Sequence, residues 1–115
     1  MKKFLVLYMA PVKVLEEWQK TDPEQRREAE EKMRNDWGMW MSEHAAMITD
    51  TGAGGKTKRV QAGGVSDCKN DIMLYSFVEA ESHEAAAKLF ENHPHFANFP
   101  GESVEVMPVM PIPEG

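Results

Sequence analysis

Apolar residues between positions 4 and 9 alternate on both parities. Phe4, Val6 and Tyr8 make one set, and Leu5, Leu7 and Met9 the other. A strand that is apolar on both sides is covered on both faces of its sheet. Residues 72–80 repeat the pattern, with Ile72, Leu74, Ser76 and Val78 on one face and Met73, Tyr75 and Phe77 on the other. Residues 57–61 read as a polar strand in which only Val60 is clearly apolar, and residues 103–107 as a closing strand. The tail carries Pro108, Pro111 and Pro113, which cannot stay in a hydrogen-bonded ladder.

Between the strands the period changes. A short helical turn is predicted over 12–20, with Leu15 and Trp18 on one side. Asp22-Pro23-Glu24-Gln25 is a strong helix start, because Asp22 can cap, Pro23 suits the first position and Gln25 can close a capping box. From there Ala29, Met33, Trp37, Trp40 and Met41 draw one helical stripe that ends near residue 46, with Met47 and Ile48 beginning a short extended segment. Ser82 caps a second helix over 83–92, buried through Ala86, Leu89 and Phe90 and stopped by Pro94. The glycine-bearing stretches 50–56 and 62–71 read as loops.

The resulting order, β-α-β-β-α-β, predicts one α+β domain over residues 1–115 with a ferredoxin-like four-stranded antiparallel sheet and helices on one face. In that arrangement the first and third strands are central and the second is an edge, which matches their apolarity. Two helices cover one face of such a sheet, yet both central strands are apolar on both faces. The uncovered face predicts a homodimer stacked sheet to sheet.

Composition narrows the class further. Thirteen bases against nineteen acids, a formal net charge of −6, argue against nucleic-acid binding, which wants a basic footprint. No apolar run approaches the roughly 20 residues that span a bilayer. Lys2-Lys3 before an apolar run mimics a leader, but Pro11, Lys13 and Glu16 interrupt it, so the stretch reads as a strand. Cys68 is the only cysteine, which excludes an internal disulfide and suits a reducing, cytoplasmic setting.

Three stretches resemble the YCII-related family, including its DGPF-type members: FLVLYM at 4–9, the segment from Val60 to Phe96, and SVEVMPV at 103–109. The resemblance implies a dimeric α/β barrel. The Asp-Gly-Pro-Phe signature of one subgroup is replaced here by Val65-Ser66-Asp67-Cys68-Lys69. Some relatives pair a histidine on the first helix with an aspartate. Here residues 23–36 hold no histidine, and His44 is the one histidine on that element.

His44 continues the Trp37–Trp40–Met41 stripe and is therefore a candidate acid or base, or else a helix-end histidine suited to the dipole. Asp67 is the candidate partner that orients it, or a turn residue. Trp37, Trp40 and Tyr75 are candidate ligand-lining residues of a cavity between the long helix and the sheet, or core. His83, His93 and His95 are the possible metal cluster, but two histidines around a proline converge poorly, and no metal site is assigned. Asp50-Thr-Gly-Ala-Gly-Gly-Lys56 lacks the first glycine and the strand-to-helix context of a phosphate loop. No cofactor is named. The expectation is a small-molecule enzyme or binder, with a non-catalytic sensor or accessory module as the alternative.

Overall fold

The computed structural model describes residues 1–97 and 101–112; Pro113, assigned to the tail, lies outside them. A central antiparallel sheet has the order β2 (Ile48–Ala53), β5 (Ile72–Ala80), β1 (Lys2–Met9), β6 (Ser103–Pro108). Helices α1 (Val12–Gln19), α2 (Pro23–Glu43), α3 (His83–Lys88) and the short α4 (Pro94–Ala97) complete a ferredoxin-like α+β fold. β3 (Thr57–Gln61) and β4 (Gly64–Cys68) pair only with each other, as a separate hairpin.

The doubly apolar strands are the central ones. Register pairs Tyr8 with Leu74, Val6 with Ser76 and Phe4 with Val78, so Phe4, Val6, Tyr8, Ser76 and Val78 share the helix-covered face and are fully buried. Ala86 and Phe90 join them, and Trp37 and Trp40 of α2 pack on top. The Asp22 carboxylate accepts the Gln25 backbone N–H and caps α2 behind Pro23. The opposite face carries Leu5, Leu7, Met73, Tyr75, Phe77 and Met107, with no helix over it among the described residues.

The sheet's fourth strand is not the predicted one. Residues 57–61 are extended but belong to the hairpin, and Ile48–Ala53, expected mostly as loop, takes the edge beside β5. Gly52 explains why a glycine-bearing stretch fits there. It lies opposite Tyr75, and a Cβ at Gly52 would stand 2.7 Å from the Tyr75 ring. The glycine admits the aromatic ring across the edge strand. Residues 62–71 are likewise not all loop: a two-residue turn at Ala62-Gly63 leads into β4, where Gly64 adopts φ +131, open to glycine alone. α2 stops at Glu43, short of residue 46. α3 ends at Lys88, and the chain runs through turns to Asn92 at φ 58. Pro94, expected as a stop, opens α4, a position its missing N–H suits.

Gly52→Val should destabilise the fold by about 1–3 kcal/mol, by overpacking against Tyr75. In the double variant with Tyr75→Ala most of that loss should disappear, a coupling that urea unfolding of the four proteins measures.

Candidate functional site

The long helix, β1 and the segment after α3 bring together the rings of Tyr8, Trp37, Trp40, Phe90, His93 and His95. Trp37 and Trp40 sit three residues apart on one face of α2. Tyr8 rises from β1 with its ring centroid 5.0 Å from Trp37. Asn92 turns left-handed, a conformation asparagine tolerates, and drives His93-Pro94-His95 beneath the helix. His93 and His95 are both fully buried. The His93 ring stands 4.5 Å from Trp37 and 4.5 Å from Trp40, edge to face. Phe90 closes the cluster 5.1 Å from Trp40.

Their hydrogen bonds determine the protonation states. His93 Nδ1 accepts the His95 backbone N–H at 3.0 Å, so the neutral ring carries its proton on Nε2. That buried N–H has no hydrogen-bond partner, and its neighbours are the two indoles. Burial pushes His93 down to about 4, and the nearby His95 and His44 add to the depression. His95 bonds the Met9 carbonyl through Nε2 at 2.9 Å; burial lowers it, against backbone bonds to Met9 and Ser103 that raise it. Burial raises the Tyr8 phenol, with the Ser76 hydroxyl pulling the other way.

Tyr8 starts a chain of hydroxyls with one direction. Thr51 Oγ1 donates to the Tyr75 carbonyl at 3.0 Å, and Ser76 Oγ donates to Thr51 Oγ1 at 3.0 Å. Both protons are thereby committed, so Tyr8 Oη donates to Ser76 Oγ, at 3.4 Å.

The sequence candidates divide. His44 is the C-cap of α2, half-buried, stacked on Trp40 at 4.5 Å, with Nδ1 2.9 Å from the Trp40 carbonyl. Trp37, Trp40 and His44 are brought together, as their helical spacing implies, and the two tryptophans pack half-buried against the core. Tyr75 stands on the other face of the sheet, beside Phe77 and over Gly52. Asp67 lies on β4, exposed, and pairs with Lys58 across the hairpin rather than with a histidine. His83 bonds the Val106 carbonyl and stacks on Phe4, away from the His93–His95 pair. Sequence reasoning places no weight on Tyr8 and takes His93 and His95 for a poor metal pair; the one local signal for their burial is Asn92, a residue that tolerates the left-handed turn after a helix.

Asp67 does line a cleft. It opens between α1 and the root of the hairpin and encloses about 790 Å³. Val12, Leu15 and Ile72 give it an apolar floor, and Lys56, Thr57, Asp67 and Asn70 a polar rim. Lys69 reaches Glu16 at 3.3 Å and ties α1 to the hairpin root. Asp71 holds the start of α1, accepting the Val12 N–H on its carboxylate and the Ala10 N–H on its carbonyl. Asn70 donates to Thr57 Oγ1 at 3.3 Å. With Lys58 and Lys69 each paired to an acid, Lys56 is a cleft lysine with no ion pair among the described residues.

No family model and no curated protein matches the chain. Among solved structures it is similar to 5-chloro-2-hydroxyhydroquinone dehydrochlorinase from Burkholderia phenoliruptrix AC1100, solved in complex with 2,5-dihydroxybenzoquinone. The identity is 16%, over 93% of this chain and 91% of that one, with a TM-score of 0.49. A likeness of that size carries no argument about function.

The buried histidines make stability pH-dependent. In the unfolded chain His93 takes a proton near 6.5, whereas in the folded chain it refuses one until about 4. Stability is therefore complete above pH 6.5 and falls as pH drops towards 4, by on the order of 3 kcal/mol. Chemical denaturation at a series of pH values should show this slope, and His93→Phe should flatten it.

Proposed function

We propose that the chain is a YCII-like homodimeric α/β-barrel protein that takes up a small organic molecule in the cleft between α1 and the β3–β4 hairpin. The observation that carries the ligand reading is the cleft itself. Its volume of about 790 Å³ lies in the range of small-molecule sites. Its apolar floor suits a ring or short chain, and its rim offers Lys56, which has no ion pair among the described residues, with the Thr57 and Asn70 side chains beside it. That combination favours a ligand with an apolar body and an anionic or hydroxylated end. Among the sequence candidates, Asp67 is the one at this place, and acid–base work on a bound molecule would fall to its carboxylate.

A second reading is a non-catalytic homodimeric sensor or accessory module. His44 favours it: its Nδ1 is occupied by the Trp40 carbonyl and its ring lies flat on the Trp40 indole. In that reading the histidine–tryptophan cluster is structural, as its burial and packing suggest.

The dimer reading has a quantitative support. A compact monomer of 13.0 kDa exposes about 6,300 Å² of surface, whereas this chain exposes 8157 Å². The radius of gyration is 16.2 Å, against about 13 Å for a compact chain of this length. The open sheet face and the exposed β3–β4 hairpin both add to that surface. The centre of the open face is Leu5, Leu7, Tyr75 and Phe77, and its rim holds Lys3, Asp50, Glu79 and Glu105, charges of both signs as a self-complementary surface requires.

Thermal shift against a panel of aromatic and aliphatic carboxylates and phenols at millimolar concentration tests the cleft. A ligand at about 100 times its Kd adds about 2.7 kcal/mol, and Leu15→Asp should abolish the shift. A panel without a hit, or a shift indifferent to Leu15→Asp, would sink the cleft reading. Light scattering at micromolar concentration should give the mass of a dimer; a monomer overturns the dimer reading.

A further inference from the structure

The β3–β4 hairpin is an arm without a support of its own. Two strands alone are marginal in water, and only Thr57 and Cys68 at its root are even half-buried. Its two valines are a cross-strand pair, Val60 opposite Val65, and they stand 75% and 64% exposed on one face near the tip. A cross-strand valine pair contributes to a hairpin when something packs on it. The arm is also the basic part of an acidic chain: Lys56, Lys58, Arg59 and Lys69 stand against the single acid Asp67, while the whole chain carries a net charge of −6.

A surface of complementary character lies at the far edge of the sheet. β6 is a sheet edge, and it and the segment after it expose Met107, Val109, Met110 and Ile112. Between residues 101 and 112 the charged side chains are Glu102 and Glu105, with no base. The arm leaves the sheet on the β2 side, and β6 is the opposite edge. The arm joins β2 to β5, and β1 separates both from the chain's own β6.

We propose that the arm is exchanged between two copies of this chain, its Val60–Val65 pair seated on the exposed apolar segment Met107–Ile112 of the second copy. Arg59 of the arm then reaches towards Glu102 and Glu105 there. The inference rests on the homodimer proposed above and adds to it a contact outside the stacked sheets. It gives the hairpin the third layer that it lacks. It also anchors the hairpin wall of the cleft, since Asp67 and Lys58 belong to the arm, so that ligand affinity and dimerisation are linked.

Mixing two single-cysteine proteins tests it. In a Cys68→Ser background, one protein carries Val60→Cys and the other Val109→Cys. Mild oxidation should give a disulfide-linked heterodimer, whereas Val60→Cys mixed with Ser42→Cys should not link. In sedimentation, Val60→Asp should raise the dimer Kd at least about tenfold. If the wild-type chain is dimeric but the cross-link fails and Val60→Asp leaves Kd unchanged, the exchanged arm is wrong and the sheet-stacked dimer stands. If the wild-type chain is monomeric, the dimer itself falls and the arm with it. A doubly substituted Val60→Cys/Val109→Cys chain that closes its disulfide within one monomer shows an arm folded on its own protomer and overturns the proposal.

Discussion

Everything in this fold follows from pairing two strands that are apolar on both sides. β1 and β5 run antiparallel side by side, and the register that sets Tyr8 opposite Leu74 and Val6 opposite Ser76 decides which half of each goes under the helices. A shift of one residue would turn one strand over against the other, setting Tyr8 on the same face as Tyr75 and Phe77 instead of Ser76 and Val78. The helical layer, the hydroxyl chain and the histidine cluster all depend on that one choice. So does the open face, since whatever is not chosen for the core must be presented on the other side.

The helix-covered layer solves an unusual packing problem. α2 contributes no fully buried residue; its indoles instead form a lid, and the space beneath is filled by His93 and His95. Imidazole is a costly filler, because it must stay neutral and find partners for two nitrogens. Backbone groups serve one nitrogen of each: the His95 N–H for His93, and the Met9 carbonyl for His95. His93 Nε2–H is left among the aromatic faces, where a weak N–H to π contact is the available compensation.

Much of this was legible in the sequence, because it is local. The Asp22-Pro23 start of α2, the Trp37–Trp40–His44 stripe and the two core strands each follow from a period or a cap. The errors lie where long-range pairing decides. Thr57–Gln61 is a genuine strand, but nothing local says that it pairs with 64–68 rather than with the sheet. Ile48–Ala53 reads as loop through Gly52, and the reason for that glycine, the Tyr75 ring, is 23 positions away in sequence. Tyr75 was grouped with the tryptophans because alternation alone cannot say which parity meets the helices. Asp67 was placed beside a histidine on the strength of a family pattern, while its actual neighbour is Lys58 on the paired strand.

The hydroxyl chain from Tyr8 ends at a carbonyl, an acceptor with no proton to return. Every link is thereby polarised outward, from the core to the edge strand. Thr51 is solvent-exposed, yet its side chain sets the orientation of a buried serine and, through it, of a buried phenol. A position that surface exposure would mark as permissive therefore has leverage over the interior. Sequence drift at residue 51 should be narrow, confined to side chains that can accept from Ser76 while donating to the strand, and the constraint would be invisible to any reasoning that ranks positions by burial alone.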